Sequence, residues 1–221
     1  MNIKEGIEKR YSVRAFTDEV PSTEIIKEIL QVANFAPSGG NIQPWKVYVL
    51  DQKSKSKLAE KALNNFDTGV QEEVEYDIYP KSLAKEYKKR RFECGADMYS
   101  ALSIKQDDLN SRLKQIRKNY NFFGAPIGMI ITVDRSFGNN GWGHVGMFLE
   151  NLWLIAIHHG LGICLQESWS IYPKTVKEHI NHPDNEIVWC GVSIGYEDKD
   201  DPINNYRTRR EDLDAFVKFV K

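Results

Sequence analysis

The sequence has no clear excess of either charge, and this excludes several classes of protein. Its 30 Lys and Arg residues stand against 31 Asp and Glu residues, which gives a formal net charge of −1. Binding of nucleic acid through its phosphates requires a basic excess. We therefore expect no nucleic-acid partner, and we interpret the basic run at residues 88–91 as a solvated helix face.

Cysteine is scarce, and long apolar runs are missing. Cys94, Cys164 and Cys190 are odd in number and widely spaced, which predicts neither a disulfide framework nor a zinc site and favours a cytoplasmic location. The apolar run at residues 152–157 is far shorter than the ~18 residues of a membrane span. We expect one soluble domain over residues 1–221 that does not act at a membrane.

The common catalytic templates are also missing. The sequence contains no His-Glu-x-x-His, Gly-x-Ser-x-Gly or Walker pattern. His158 and His159 are adjacent, so on a helix they do not face one metal together. We therefore predict no catalytic side chain and no metal. A chain with binding loops but no set of acid, base and nucleophile indicates that a cofactor carries the chemistry.

One partial match to a nucleotide-binding pattern provides an alternative. Residues 141–146 read Gly-Trp-Gly-His-Val-Gly, and Glu167 follows where an acid that binds ribose stands in a Rossmann NAD enzyme. Two features count against this interpretation. The preceding apolar strand ends at Val133, well before Gly141, and the following helix is apolar nearly all round rather than on one face.

Hydrophobic periodicity predicts alternating helices and strands. Helices are predicted over residues 1–10, 22–33, 53–66, 107–120, 141–159 and 173–180, and strands over residues 45–50, 127–133, 161–165 and 187–195. The last strand places Val188, Cys190, Val192 and Ile194 on one face. Residues 67–95 lack a clear period, so we interpret them as a mobile, variable excursion near a substrate pocket.

Polar segments between these elements are candidates for ligand binding. The loop at residues 36–45 combines two prolines, two glycines and the side chains of Ser38, Asn41 and Gln43. Such a stiff loop can offer preset donors to a polar cofactor. Residues 10–14 and 207–210 are rich in arginine, whose planar fork binds phosphate oxygens in pairs, although solvated basic turns remain the alternative.

Several of these segments, in this order, resemble the FMN-dependent nitroreductase family. The matching segments are residues 10–16, 36–45, 160–167, 191–196 and 207–209, and residues 76–91 and 121–126 are most similar to the nitrobenzoate-reductase-like branch. The resemblance implies an α+β fold, a three-layer α/β/α sandwich with a mixed central sheet. It also implies a homodimer in which the tail at residues 215–220, within the C-terminal segment (residues 213–220), crosses to the partner subunit. A final helix over residues 211–220, packed on its own chain, is the alternative.

The resemblance further implies a flavoenzyme. FMN would be the cofactor and NADH or NADPH the reductant, and a nitroaromatic, quinone or similar small molecule would accept electrons in a ping-pong reaction. Two alternatives are another reductive reaction on the same fold, such as dehalogenation or flavin reduction, and a non-catalytic flavin-binding module.

Family resemblance assigns roles to individual residues of this chain. Arg10, Ser12 and Arg14 would reach the FMN phosphate, ribityl chain and pyrimidine edge, and Arg207 and Arg209 would complete the phosphate clamp. A partner subunit would contribute Pro37, Ser38 and Asn41, and residues 166–168 would lie beside the flavin ring. The full predicted set is Arg10, Tyr11, Ser12, Arg14, Pro37, Ser38, Gly39, Asn41, Gln43, Gln166, Glu167, Ser168, Arg207 and Arg209.

Overall fold

A computed structural model describes residues 2–220, except for the side chain of Asn139, and shows a sheet between two layers of helices. Met1 and Lys221, at the ends of the predicted N-terminal helix and C-terminal segment, lie outside the described residues. The helices are α1 (Ile3–Lys9), α2 (Thr23–Ala33), α3 (Gln52–Thr68), α4 (Lys85–Ala101), α5 (Leu109–Arg117), α6 (Gly138–His158) and α7 (Pro173–Ile180). The strands are β1 (Trp45–Leu50), β2 (Ile127–Asp134), β3 (Gly162–Gln166) and β4 (Glu186–Gly195).

The four strands pair antiparallel in the order β1-β2-β4-β3. The resemblance implied a sheet with both parallel and antiparallel pairs. Within the described chain, its parallel part is a single bridge between Ser12 and Ile163. There the main-chain N–H of Val13 donates to the carbonyl of Ile163 at 3.0 Å. The first basic motif is thereby attached to the outer edge of β3.

Helices cover both faces of this sheet. On one face α2 and α6 pack over strand residues such as Ile131, and the buried side chains include Ile29 and Leu149. On the other face α3 and α7 bury Leu58 and Val176 against residues that alternate with the first set along the strands. This arrangement confirms the α+β class and the three-layer sandwich.

Helix α6 crosses the core but is not buried all round. Val145, Phe148 and Leu152 are buried, and the ring of Trp45 stacks on Phe148 with 5.0 Å between centroids. Met147 on the opposite side of the helix remains 38% exposed. The Gly-rich residues 141–146 lie inside this helix, three residues or more beyond its start at Gly138. A Rossmann site needs these glycines in a turn between strand and helix, so the structure argues against that alternative.

A β-bulge at Trp189 changes the face of one predicted core residue. Ile131 of β2 is opposite Cys190, whereas the next residue, Thr132, is opposite Val188. The extra residue inverts the alternation of side chains along the strand. The prediction that Val188 shares a face with Cys190, Val192 and Ile194 is therefore wrong, because Val188 packs on the α3 and α7 side.

The segment predicted as an excursion contains regular structure that periodicity missed. Helix α4 begins within it, at Lys85, and has no buried residue, which explains why its sequence shows little apolar period. The predicted helix over residues 107–120 is shorter than expected: α5 ends at Arg117, and a 3₁₀ segment, Lys118–Gly124, follows. No helix among residues 2–220 is long and apolar enough to cross a bilayer.

The chain before α4 is attached to the body of the protein at several points, two of which are Glu72 and Tyr76. Glu72 accepts hydrogen bonds from the main-chain N–H groups of Lys174 and Thr175, at 2.7 and 3.1 Å, where α7 begins. Tyr76 packs its ring edge against Trp142, with 4.8 Å between centroids, and its hydroxyl donates to the carbonyl of the bulged Trp189. These contacts fix the segment across one end of the sheet.

The C-terminal segment does not form the packed helix that was the alternative to a crossing tail. It contains one 3₁₀ turn, Leu213–Ala215, and the side chains of Phe216 and Phe219 are 71% and 82% exposed. The alternative of a final helix over residues 211–220 is wrong. These aromatic side chains have little cover within their own chain.

We expect Tyr76→Phe to lower the free energy of unfolding by about 1–3 kcal/mol, because the carbonyl of Trp189 loses its side-chain donor. Denaturant unfolding of the variant and its parent measures the difference. Tyr87→Phe removes a hydroxyl from an exposed ring of α4 and serves as the matched control, with an expected change within ~0.5 kcal/mol. Equal stability of the Tyr76 variant and its parent would contradict the anchoring role.

Candidate functional site

The first basic motif leaves α1 and runs in an extended conformation along β3. Asn2 and Glu5 form a capping box at the start of α1, and Arg10 is the residue that caps its C-terminal end. The guanidinium carbon of Arg10 lies 4.5 Å from the ring centroid of Trp153, and its Nε is 3.5 Å from the carboxylate of Glu150. Arg10 is therefore held on α6 with part of its charge compensated.

Tyr11 positions the first arginine of the second basic cluster. The guanidinium carbon of Arg207 lies 3.3 Å from the centroid of the Tyr11 ring, and the Tyr11 hydroxyl donates to Glu197. Burial, together with this hydrogen bond and the charge of Glu197, raises the pKa of Tyr11 to about 12. The phenol stays neutral near pH 7, and its ring face supports the cation.

Asn204 joins the two basic clusters. Its side-chain oxygen accepts from the main-chain N–H of Arg14 at 2.8 Å, and its amide nitrogen donates to the carbonyls of Ala15 and Asp198, also at 2.8 Å. The main-chain carbonyl of Asn204 accepts from Nη1 of Arg207 at 2.6 Å. Asn204 thus binds both arginines, Arg14 through its main chain and Arg207 through its guanidinium.

Two of these arginines have charges that the protein does not compensate. Among residues 2–220 no carboxylate oxygen lies within 4.0 Å of the guanidinium nitrogens of Arg14 or Arg207. Arg14 makes a long contact of 3.4 Å to the carbonyl of Ser12, and Arg207 donates to main-chain carbonyls. Arg14 is partly buried and Arg207 is exposed. Two neighbouring guanidinium groups without a carboxylate partner can bind a phosphate or another anion.

Arg209, predicted as part of the same clamp, has a different environment. Its Nη2 lies 2.7 Å from the carboxylate of Asp97 on α4, and its side chain is 68% exposed. The charge of Arg209 is therefore compensated by α4, of which sequence analysis predicted only the basic helix face at residues 88–91.

The loop at residues 36–45 is held in a strained conformation by its own polar groups. Gly40, Asn41 and Gln43 have positive φ angles of 58°, 55° and 52°, a region that favours glycine. The hydroxyl of Ser38 accepts from the N–H of Gln43 at 3.0 Å, and the Gln43 amide donates to the carbonyl of Asn41 at 2.9 Å. Two predicted ligands, Ser38 and Gln43, are thus already engaged inside the loop.

This loop rests on α6. The main-chain N–H of Gly39 donates to Nε2 of His144 at 3.1 Å. Arg10 contacts Glu150 and Trp153 farther along the same helix, so the loop and Arg10 sit about 9–14 Å apart along its axis. Pro37 and Asn41 are exposed, next to exposed apolar side chains of Phe35 and Ile42.

At the end of β3, the predicted ligand Gln166 has its side chain turned into the protein. Its amide nitrogen donates to the carbonyl of Asn119 at 2.7 Å, and its oxygen accepts from the hydroxyl of Ser193 at 2.5 Å. Gln166 is buried, so only its main chain is free to face a ligand. The prediction that residue 166 lies beside the flavin ring therefore concerns its main chain.

The next two residues do offer free polar groups. Burial raises the pKa of the half-buried Glu167 carboxyl above its ordinary value. The hydroxyl of Ser168 is buried and has no hydrogen-bond partner in the described part of the chain. A buried hydroxyl without a hydrogen-bond partner is uncommon, and a bound ligand could supply that partner.

Sequence reasoning missed several residues that build this site. Asn204, Glu197 and His144 position predicted residues through hydrogen bonds that span large sequence separations. No local signal identifies them, since asparagine, glutamate and histidine are also common in surface turns and helices. His144 was noticed only as part of the Gly-rich pattern, where its side chain had no assigned role.

Comparison with known proteins identifies the family of the chain. Residues 7–196 match the Nitroreductase family. A 4-nitrobenzoate reductase of Nocardioides sp. (strain LMS-CY) is 34% identical over 214 residues, which cover 96% of this chain and 87% of that protein. A nitrobenzene nitroreductase of Ectopseudomonas oleovorans is 31% identical over 219 residues, with coverages of 99% and 96%.

Solved structures share the whole fold. The FMN and NADPH-dependent nitroreductase NfnB from Sphigopyxis sp. strain HMH superposes with a TM-score of 0.95 over 100% of both chains at 34% identity. The FMN-dependent nitroreductase NfnB from Mycobacterium smegmatis, in complex with NADPH, gives a TM-score of 0.94 at 26% identity, with 99% and 97% coverage. The chain belongs to the Nitroreductase family.

Proposed function

We propose that the protein is an FMN-dependent NAD(P)H oxidoreductase that reduces nitroaromatic compounds. The observation that carries the proposal is the pair of uncompensated guanidinium groups, Arg14 and Arg207, joined by Asn204. Relatives named as nitrobenzoate and nitrobenzene reductases, and structural neighbours named as FMN and NADPH-dependent, support it. FMN, when bound, accepts hydride from NADH or NADPH and passes electrons to the acceptor.

The residues of the chain have binding and positioning roles in this proposal. Arg14 and Arg207 hold the phosphate, and Tyr11 keeps the Arg207 guanidinium flat against its ring. Arg10 contributes less, because Glu150 already compensates part of its charge. The free hydroxyl of Ser168 and the main chain of residues 166–168 face the flavin ring. Arg209 binds Asp97 instead of the phosphate, and it is the weakest of the predicted ligands.

The proposed chemistry has a direct test. Purified protein supplied with FMN should be yellow, NADH or NADPH should bleach the flavin absorption without oxygen, and 4-nitrobenzoate or nitrobenzene should restore it. Comparison of the two nucleotides under the same conditions gives the preference between them. Protein that takes up no FMN would refute the proposal. Protein that binds FMN but is not reduced by either nucleotide would favour the non-catalytic flavin-binding alternative.

We expect Arg14→Ala and Arg207→Ala each to weaken FMN binding about ten- to a hundredfold, because each loses a charge-assisted contact worth ~1.5–3 kcal/mol. Lysine at either position should restore binding only in part, because it lacks the planar fork. Equilibrium titration of the apoprotein with FMN measures the change.

The neighbouring Arg210 provides the matched control for this titration. Its Nη1 donates to the Thr208 hydroxyl at 2.7 Å, and its side chain is exposed. Arg210→Ala should bind FMN like the parent. If the Arg14 and Arg207 variants also did so, both would be ordinary surface charges and the clamp assignment would be wrong.

We also propose a homodimer whose two flavin sites each use residues of both chains. Large exposed apolar side chains support it, because a monomer seldom leaves so many uncovered. They lie on α1, around the loop at residues 36–45, and in the C-terminal segment: Ile3, Ile7, Phe35, Ile42, Phe216, Phe219 and Val220. The distance between that loop and Arg10 along α6 is consistent with Pro37, Ser38 and Asn41 serving the site of the partner subunit.

Removal of residues 214–221 tests the assembly. We expect the truncated protein to dimerise more weakly and to retain less FMN, since one interface serves both functions. Analytical ultracentrifugation with absorbance at the flavin wavelength reads both properties together. A full-length monomer that holds one FMN per chain would contradict the shared site and the roles of Pro37, Ser38 and Asn41.

A reducing compartment, the cytoplasm, is the proposed location. All three cysteines carry free thiols, and Cys94 is exposed, whereas Cys164 and Cys190 are buried. An exposed free thiol is compatible with a compartment in which thiols stay reduced.

A further inference from the structure

A cavity of about 840 Å³ lies beside α4, in and next to the segment that sequence analysis placed near a substrate pocket. None of the residues assigned to flavin binding belongs to its lining. It is lined by α4, the turn before it and the chain that leads into α5. Its size falls within the range of pockets that hold small organic molecules, roughly 300–1,000 Å³.

Helix α4 has two opposite faces, and the cavity uses the one that points away from the C-terminal segment. On the other face, Cys94 accepts a hydrogen bond at its carbonyl from the Tyr206 hydroxyl at 2.9 Å, and Arg90 and Asp97 form ion pairs with Glu211 and Arg209. The α4 residues that line the cavity lie on the opposite face of the helix: Lys88, Arg91, Phe92, Gly95, Ala96, Tyr99 and Ser100. Helix α4 therefore lies between the cavity and residues 206–211, the segment that contains Arg207.

The charge of the lining has one sign. The basic side chains are Lys81, Lys88, Arg91, Lys105 and Arg112. No carboxylate belongs to the lining, and within the described chain none lies within 4.0 Å of these five groups. A concave surface with cations and no acid raises the local concentration of anions.

Two of the cations are pre-positioned. The guanidinium carbon of Arg91 lies 3.8 Å from the ring centroid of Tyr79, and that of Arg112 lies 4.6 Å from the centroid of Tyr99. A guanidinium that stacks by its face on an aromatic ring keeps its edge N–H groups available for a planar carboxylate. Arg112 is further fixed by its hydrogen bond to the carbonyl of Gln106 at 3.0 Å.

The remaining lining is apolar and partly aromatic. Leu83, Phe92, Tyr99 and Ile104 provide surfaces on which a ring can pack. Phe92 is 62% exposed, so a ligand would remove apolar surface from water as well as neutralise charge. We propose that this cavity is a second binding site, for a small aromatic molecule that carries a carboxylate or phosphate.

Binding is tested with 1-naphthoate, which has no reducible nitro group, and FMN-loaded protein in low-salt buffer by isothermal titration calorimetry. Neutral 1-naphthamide keeps the ring and removes the charge, and it should bind at least tenfold more weakly. The affinity for naphthoate should fall as salt rises, because the cations are exposed. A parallel titration with 1-naphthyl phosphate shows which anion is preferred, and tight binding of either one supports the site.

Three variants locate the binding. Arg91→Gln and Arg112→Gln should each weaken naphthoate binding about tenfold. Gly95→Leu should abolish it, because a side chain at Gly95 projects into open space of the cavity, with nothing within 4 Å of the added Cβ. Leucine is a better helix former than glycine, so α4 should persist. Lys89→Gln removes a charge from the same helix outside the lining and should bind like the parent.

The proposal is overturned if naphthoate and naphthamide bind equally, if neither anion binds, or if the two arginine variants and Gly95→Leu all bind like the parent. Naphthoate that perturbs the flavin absorption to the same extent in parent and Gly95→Leu protein would place the ligand at the flavin and also overturn it. The titration involves no turnover, so its failure leaves the proposed oxidoreductase activity untouched.

Discussion

The buried carboxamide of Asn204 is the interaction on which the candidate site depends. Asn204 is 1% exposed; its side-chain oxygen accepts from the main-chain N–H of Arg14, and its amide nitrogen donates to the carbonyl of Ala15. Its own carbonyl fixes Arg207. Two segments that are 190 residues apart in sequence are thereby held together. A buried amide left without partners is costly, so the fold and the arrangement of the two arginines are energetically coupled.

The segment between α3 and α4 extends this coupling to the sheet. The bulge at Trp189 presents a carbonyl that Tyr76 satisfies, and Glu72 occupies the start of α7. Bulges often occur next to functional sites, where they redirect side chains. The segment in turn leads into α4, one face of which binds the C-terminal chain through Asp97 and Arg209. A helix without buried residues is thus held by polar contacts along one side.

Predictions from the sequence agree with the structure where interactions between neighbouring residues decide the outcome. Strand β1 matches its predicted bounds, and α2 and α7 match closely, because apolar periodicity and capping are local. Failures occur where a distant partner decides. Val188 changes face through a bulge that depends on the register with β2, and α4 shows no period because it buries nothing. The side chain of Gln166 turns inward because Asn119 and Ser193 bind both of its ends.

By itself, the sequence determined the class of fold, the order of its elements and the chemical character of the candidate site, because periodicity, proline and glycine placement and arginine content are properties of neighbouring residues. Only the tertiary structure decided which charges are free. Arg14 and Arg207 lack a carboxylate among residues 2–220, whereas Arg209 meets Asp97 and Arg10 meets Glu150. Ion pairing depends on distances of a few ångströms between segments far apart in the chain, and those distances arise only when the layers pack.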